Sequence, residues 1–579
     1  MDDPQTSIPG RTRLAPARES VGRSLQAGVF LFVLFAYFIG ESRTPPYNDS
    51  KFIYTVAESI VYRHSIDIPV PGGTLKAQHP LLPSAIHVPG VVLRRAIAKD
   101  DRALDKLVTP MTSHLGTELV VALGCLVFLR LLGYLGISLF AASLGTVVLA
   151  FATFLPIYAR TSWSEALQAT CFIGFFSALI RLKDSPGRKT GLWFGVWTGL
   201  LINSKYAFVL TLPGALVFLG YHAWRQKQIR TLVRAMAWPA IPGAVFLAVI
   251  LWYNWARTGA LTSSGYPSIA GLGETVFRES VFVGLWSYFF SFGKSIFLYN
   301  PPLALSVLAL PLASRRHASF LWALLLTAGP MVCLYSKFVF WSGDWCWGPR
   351  YLLFVVPIML IPAVFLVDEA VQARKRLVLA SCAVVFLLGV SVQVVGASQY
   401  WDHFIRFSKN VQVLWLGNPN RSGALTPDHG GSCDPCFEDF YARNFTPALQ
   451  PIEGQWWYLK HHLLSDPWEV AAKDLPLHRY TNLPFQSAYN WYTNPPWDWW
   501  KLDFVGRFHR AGDILLGLFI LGFLGGMVLW GRGLSASAEF RGSCAGIFQY
   551  GWPRPWPRLR AYLAPRLVRL RDRLRGRGR

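Results

Sequence analysis

The feature that most constrains this chain is a series of apolar runs, each long enough to cross a bilayer. Crossing roughly 30 Å of hydrocarbon takes about 17 to 25 residues at a helical rise of about 1.5 Å each. Such runs are predicted near residues 25–40, 113–130, 135–158, 162–180, 190–203, 206–222, 235–255, 297–313, 318–336, 351–367, 376–396 and 512–530. Composition agrees. Of 579 residues, 53% are hydrophobic and only 15% charged, against about 25% charged in a soluble domain, and the mean hydropathy is +0.32. A chain so poor in charge cannot cover a water-facing surface of its size, which excludes soluble enzymes and soluble binding modules. The expected fold class is an all-α polytopic membrane protein of about 12 transmembrane helices.

The net charge of +24, from 56 Lys+Arg against 32 Asp+Glu, would alone suit a polyanion such as nucleic acid. Its placement argues otherwise. Nearly all of the excess lies in the N-terminus, in the short loops around Arg181 to Lys189, Arg225 to Arg234, Arg315-Arg316 and Arg374 to Arg376, and after Trp530. With these crossings every such segment falls on one side, and the positive-inside rule makes that side cytoplasmic. The expected organisation is a basic cytoplasmic N-terminus (1–24), a transmembrane domain (25–396) with a first outer loop at 41–112, and an extracytoplasmic Trp-rich segment (397–511). A last crossing (512–530) and a cytoplasmic Arg-rich tail (531–579) complete it. The first run follows Arg11, Arg13, Arg18 and Arg23 without a small-residue cleavage site, so it reads as a retained anchor. Both termini are then cytoplasmic and the localisation is a plasma membrane, with membrane lipids as partners and no nucleic acid.

Residues 190–222 are short for two crossings, yet basic loops flank them. Arms of about 14 residues reach only about 21 Å, so the hairpin tip Asn203-Ser204-Lys205 should stop below the outer boundary, where a lysine needs a polar cavity or a partner. In the first outer loop, KFIYTVAESIVYR should form an interfacial amphipathic helix with Phe52, Val56 and Ile60 on one face, and a second should surround VVLRRAIAK. Cys125, Cys171, Cys333 and Cys382 lie in spans as small packing residues; Cys433 and Cys436 suit a local disulfide on the outer side.

No ionisable residue falls near the middle of the expected spans. A coupled transporter would place such groups at midplane; here they collect at the outer ends, which points to a site at the membrane–water boundary. Asp49, in PPYNDSKF, opens the interfacial helix, as a helix N-cap would. In Phe340-Trp-Ser-Gly-Asp-Trp-Cys-Trp-Gly-Pro-Arg-Tyr351 the only charges are Asp344 and Arg350, set among Trp341, Trp345 and Trp347. An aromatic belt with a structural ion pair accounts for that run, but a guanidinium at a helix start also suits phosphate. Arg160 and Glu165 lie in YARTSWSEAL, where the capped start of a span is the plainer reading. His79 lies in GGTLKAQHPLLPS, where a structural role is the plainer one. The 397–511 segment, with Trp456-Trp457 and NWYTNPPWDWW, divides evenly between interface anchoring and sugar stacking.

An Asp at the start of the first outer loop, then interfacial helices, then many spans, resembles the GT-C superfamily of integral-membrane glycosyltransferases. The bacterial protein O-mannosyltransferase and aminoarabinose-transferase group is the most similar. The matching stretches are PPYNDSKFIYTVAESIV, LKAQHPLLPSAIHVPG, YARTSWSEALQA, GLLINSKYAFVLTLPG and WSGDWCWGPRYLLFVVPIML, over roughly residues 25 to 370. The resemblance implies transfer of a sugar, hexosyl or pentosyl, from a polyprenyl-phosphate donor to an acceptor hydroxyl of a glycan, lipid or protein on the outer face, usually with inversion. Asp49 is then the expected base. Arg350 and Lys205, with His79 and Arg160 behind them, are expected at the donor phosphate, and Asp344, Glu165, Trp345 and Trp347 are expected to position donor or acceptor. The chemistry agrees: a lipid-linked phosphate leaves well once its charge is neutralised, and the acceptor hydroxyl needs one base. Acid-rich relatives leave room for a divalent metal ion; this chain has Ser50 where many carry a second acid. The rival readings are a lipid-linked oligosaccharide ligase or polymerase, and a polytopic transporter or flippase.

Overall fold

The computed structural model describes residues 22–47, 49–99, 101–263, 276–343, 346–400, 404, 444–445, 450–474, 497–505 and 508–536. Eight stretches among them are long and apolar enough to cross a membrane: Leu81–Ala98, Arg102–Tyr134, Glu165–Asp184, Tyr206–Arg225, Ile229–Thr258, His317–Lys337, Arg376–Ser398 and His509–Ala536. Arg23–Ile39, Leu139–Phe151 and Val281–Phe290 are apolar but shorter. The chain is an integral membrane protein built almost wholly of helices, and a two-stranded hairpin is the one sheet among the described residues.

In chain order, α1 (Arg23–Ile39) leads into α2 (Asp49–Arg63), a hairpin of β1 (Asp67–Val70) and β2 (Gly73–Lys76), and the helices α3 (Leu81–Ala85) and α4 (Val88–Ala98). The bundle continues through α5 (Arg102–Tyr134), α6 (Leu139–Phe151), α7 (Leu155–Ala159), α8 (Glu165–Asp184) and α9 (Arg188–Ser204). A 3₁₀ turn (Tyr206–Leu210) then precedes α10 (Thr211–Arg225), α11 (Ile229–Met236) and α12 (Ala240–Thr258). After these come α13 (Val281–Phe290), α14 (Ile296–Tyr299), α15 (Pro302–Leu308), α16 (Leu310–Lys337), α17 (Val356–Gln372) and α18 (Arg376–Ser398). The helices Pro451–Leu464 and His509–Ala536 complete the described chain.

The centre of the bundle is α8, 17 of whose 20 residues are buried. It has no polar face to spend on solvent, and small residues let its neighbours close in. A Cβ on Gly174 would meet the Trp197 ring of α9, and one on Gly124 of α5 would meet Thr170. The first half of α8 is therefore held on two sides, and its first residue, Glu165, is delivered to a definite place.

Several expectations are corrected. The run at 135–158 is two helices, because the chain breaks at Ala152 to Phe154 before the Pro156 turn of α7. The run at 297–313 is divided among α14, α15 and the start of α16, where Pro301, Pro302 and Pro311 interrupt a continuous hydrogen-bond ladder. Between the runs at 235–255 and 297–313 lies a further apolar helix, α13, which packs so closely on α16 that a Cβ on Gly284 would meet the Ser336 carbonyl oxygen. In α2 the buried face is Ile53, Tyr54, Val56 and Ala57, while Phe52 is 43% exposed. The pair Cys433 and Cys436, residues 1–21 and residues 537–579 lie outside the described residues.

The predicted hairpin is present: α9 ends at Ser204, Lys205 is extended, and Gly191 near the start of α9 rests against Ala235 of α11, which follows α10. The two arms therefore run antiparallel and the turn falls at Lys205.

The first and last described helices pack along glycines. A Cβ on Gly28 would lie 2.3 Å from the Trp530 backbone nitrogen, and one on Gly526 2.5 Å from that of Phe32. Such contacts hold helices together where lipid supplies no hydrophobic drive. Gly28→Val should cost about 1–3 kcal/mol by overpacking and lower the melting temperature in detergent. An unchanged melting temperature would mean that α1 and the C-terminal helix do not close on these glycines.

Candidate active site

Asp49 is the first residue of α2, but its carboxylate does not cap that helix. Ser50 closes the turn instead, its hydroxyl donating to the Tyr47 carbonyl at 2.6 Å and accepting from the Tyr47 N–H at 2.9 Å. Asp49 Oδ2 is left to accept from Arg350, with both Nη1 and Nη2 at 3.2 Å. Arg350 opens the 3₁₀ turn Arg350–Leu352, just before α17. The loop ahead of it carries Gly343 at φ +74° and Gly348 at φ +65°, a region that side-chain-bearing residues avoid. A Cβ on Gly343 would also lie 2.6 Å from Arg350 Cγ. The two glycines let the loop wrap the arginine and aim it.

The guanidinium lies 4.1 Å from the Trp163 ring centroid and 5.0 Å from that of Tyr351, an arrangement that suits a flat, weakly hydrated cation. Its Nη1 is 3.8 Å from Glu165 Oε1. Glu165 is buried and its Oε2 has no hydrogen-bond partner. Lys205, at the tip between α9 and α10, holds its ammonium 4.8 Å from the Tyr351 ring centroid and 5.2 Å from that of Tyr335. Among the described residues the ammonium makes no hydrogen bond, while Glu165, Arg350 and Asp49 all act on it electrostatically.

Asp49, Glu165, Lys205 and Arg350 thus converge from four distant segments, and His79 joins them electrostatically. Enclosure alone would raise the Asp49 carboxyl, but Arg350 first, then His79 and Lys205, outweigh it and hold the group below the ordinary aspartate range. Nearly half of the Asp49 side chain (48%) remains exposed, so the carboxylate is ionised, accessible and half-committed. Oδ1 accepts no hydrogen bond among the described residues. His79 goes the other way: burial, then Lys205, Arg350 and Arg257 against the pull of Asp49, bring it down to about 4. It is a neutral imidazole at neutral pH.

Two residues expected at the site are placed elsewhere. Arg160 is buried, donates to the carbonyls of Ala397 and Asp498 at 3.2 and 2.7 Å, and lies 3.5 Å from the Asp498 carboxylate. Trp347 is fully buried against Tyr299, with its carbonyl accepting from Tyr158, so it packs the core. Asp344 and Trp345 lie outside the described residues. Of the Trp-rich segment, Trp457 and Trp500 are buried and Trp456 is 53% exposed. Asp498 accepts from Ser42 Oγ, the Arg43 N–H and Thr44 Oγ1 at 2.8 to 3.1 Å, which clasps the start of the loop carrying Asp49.

Three features were missed. Arg257, buried at the end of α12, donates to the carbonyls of Ala77 and His79 at 2.5 and 3.3 Å and so pins the loop between β2 and α3 that carries His79. Lys294 is buried and donates to the carbonyls of Cys346 and Gly348 at 2.8 and 3.2 Å, bracing the Arg350 loop. It is the only charged residue between Val281 and Ala313, a signal legible in the sequence. The third is a buried acid pair, Glu41 and Glu118, with Glu41 Oε1 2.6 Å from His114 Nδ1. Glu118 stands midway along the long α5 but only six residues into the expected span 113–130. Its neighbour Glu41 lies just beyond α1, so α5 extends past that end and both acids sit near the same boundary. Among the described residues, no group of three or more His, Cys, Asp or Glu side chains could hold a metal ion.

The fold and this cluster define an integral membrane protein with a two-cation, two-carboxylate site at one end of its bundle. No family model and no curated protein sequence matches the chain. Among solved structures, ArnT from Cupriavidus metallidurans in the apo state is similar at a TM-score of 0.45 and 15% identity, over 88% of this chain and 76% of that one. ArnT from the same organism bound to undecaprenyl phosphate is similar at 0.39 and 14%, over 92% and 81%.

Lys294→Met should leave the Cys346 and Gly348 carbonyls without their donor, at a cost on the order of 2–3 kcal/mol. The check is the melting temperature in detergent, which should fall; an unchanged value would show that the loop does not depend on this lysine.

Proposed function

We propose that this chain is a GT-C-type glycosyltransferase that moves a sugar from a polyprenyl-phosphate carrier to an acceptor hydroxyl at the extracytoplasmic face of a bacterial plasma membrane. The observation that carries the reading is the convergence of Asp49, Glu165, Lys205 and Arg350, with one oxygen of each carboxylate and one ammonium left open among the described residues. A structural ion pair would satisfy all its members. Here the buried Glu165 Oε2 lacks a donor, and the Lys205 ammonium faces the Tyr351 and Tyr335 rings without a hydrogen-bond acceptor among the described residues, which suits a ligand that brings both hydroxyls and a phosphate.

In this reading the acceptor oxygen attacks the anomeric carbon while the bond from that carbon to the phosphate oxygen breaks, and the lipid phosphate leaves with the electron pair. Lys205 and Arg350 balance the charge that grows on it. The acceptor proton goes to Asp49 Oδ1. A carboxylate held low is a weak base, but it is always ionised, and the hydroxyl proton turns strongly acidic as the new bond forms. Arg350 grips only Oδ2, which keeps the carboxylate oriented without blocking Oδ1. With Asp49 as the base and no covalent glycosyl-enzyme step, the displacement is single and inverts the anomeric centre. Glu165 Oε2 accepts from a sugar hydroxyl, and His79, neutral, donates one hydrogen bond to the phosphate.

The test is transfer from a panel of polyprenyl-phosphate sugars by purified protein. Asp49→Asn should lower turnover about 10²- to 10⁴-fold, the usual contribution of a positioned base, with donor binding largely kept. Lys205→Ala should weaken donor binding about tenfold or more, as expected for one charge-assisted contact. Wild-type turnover in the Asp49→Asn variant would sink the base assignment, and unchanged donor affinity in the Lys205→Ala variant would remove the phosphate role. A transporter would instead show solute movement across vesicles that survives Asp49→Asn.

The pH profile gives an independent check. An ordinary histidine titrates at 6.5, but His79 is brought down to about 4 and stays neutral above that, and Asp49 stays ionised over the same range. Donor binding should therefore be flat between about pH 5.5 and 7.5. An inflection near 6.5 that disappears in His79→Gln would contradict the assigned neutral imidazole.

A further inference from the structure

We infer that the opposite end of the α9–α12 region is a binding surface for an anionic phospholipid headgroup, formed by the ends of α9 and α10 and by the short helix α11. No acidic residue occurs from Ser185 to Gly273, while Arg188, Lys189, Arg225, Lys227, Arg230 and Arg234 all lie at this end of the helices. Two grooves open there. One, of about 670 Å³, is lined by Trp224, Arg225, Lys227, Ile229 and Arg230; the other, of about 370 Å³, by Arg188, Lys189, Trp193 and the apolar Leu192 and Val196.

The same end also offers apolar surface. Trp224 is 65% exposed, Trp193 53%, and on α11 Val233 is 65% and Ile229 49% exposed. In IRTLVRAM, Ile229 and Val233 fall one turn apart, as do Arg230 and Arg234, so α11 presents an apolar edge beside a cationic edge. Setting topology requires only a count of positive charge. It requires no groove, no exposed indoles and no amphipathic helix. A phosphodiester headgroup with acyl chains attached supplies what this surface lacks: an anion for guanidinium forks, an interfacial layer for the two tryptophans, and hydrocarbon for Ile229 and Val233. Charge complementarity selects an anionic lipid over a zwitterionic one. The site is separate from the Asp49 cluster, and the inference holds whether or not the chain transfers sugar.

The experiment uses the full chain reconstituted in bilayer discs of phosphatidylglycerol and phosphatidylcholine, then released into neutral detergent, with the retained lipids counted by native mass spectrometry. Wild-type protein should retain phosphatidylglycerol well above its share of the bilayer. Arg225→Gln, Lys227→Gln, Arg230→Gln and Arg234→Gln together should reduce that enrichment about tenfold or more, given the attraction of each basic residue to an anionic surface. Arg374→Gln, Lys375→Gln and Arg376→Gln, which remove charge from another basic loop, should leave it unchanged. Retention at the bilayer ratio by the wild type overturns the inference whatever the variants do, and so does an equal loss in the second set.

Discussion

The contact on which the site depends joins residues 301 positions apart: the Asp49 carboxylate, at the start of α2, and the Arg350 guanidinium, at the start of the turn before α17. It closes the loop after α1 onto the far side of the bundle. Arg350 is almost fully buried, and a buried cation is tolerable only when its neighbours replace water. Trp163 and Tyr351 cover its faces, and Asp49 and Glu165 lie along its edge. Removing Asp49 therefore changes more than one carboxylate: it leaves Glu165, at a longer distance, as the guanidinium's remaining carboxylate among the described residues.

Around that contact the structure arranges supports that touch neither member. Lys294 braces the Arg350 loop through two carbonyls, Arg257 pins the backbone on either side of Gln78, and Asp498 clasps residues 42 to 44. Asp498 is held in turn by Arg160. These groups are buried and hydrogen-bonded, so they work as fixed geometry, whereas Asp49 and Lys205 keep an open atom each. That division between satisfied supports and unsatisfied centre is what a binding site needs for precision.

The helical membrane class was legible from run length and charge scarcity alone, because a bilayer leaves a chain few options. So was the turn at Lys205 between two basic loops, although its second arm, Tyr206–Arg225, is longer than expected and long enough to cross a membrane. The spans at 135–158 and 297–313 were read as continuous because hydropathy does not register backbone breaks; the prolines at 156, 301, 302 and 311 were the signal. Asp49, Glu165, Lys205 and Arg350 were identifiable as polar residues near span ends and His79 as a loop histidine between the interfacial helices, and the structure gathers them. Arg160 obeys the same pattern, yet it is used to hold Asp498. Sequence pattern places an arginine at a boundary but does not say which acid from a distant segment reaches it first. Lys294 and Arg257 escaped notice because each is a single cation in an apolar stretch, serving backbone carbonyls that no sequence pattern marks.

The central claim is that Lys205 and Arg350 form one phosphate site beside an open Asp49. The most direct measurement is a cryo-electron microscopy map of the protein with a polyprenyl phosphate in a lipid disc. The account predicts phosphate density within hydrogen-bond distance of Lys205 Nζ and the Arg350 guanidinium, with Asp49 still facing the guanidinium. Phosphate bound elsewhere, with the Asp49–Arg350 pair undisturbed and Lys205 unoccupied, would contradict it.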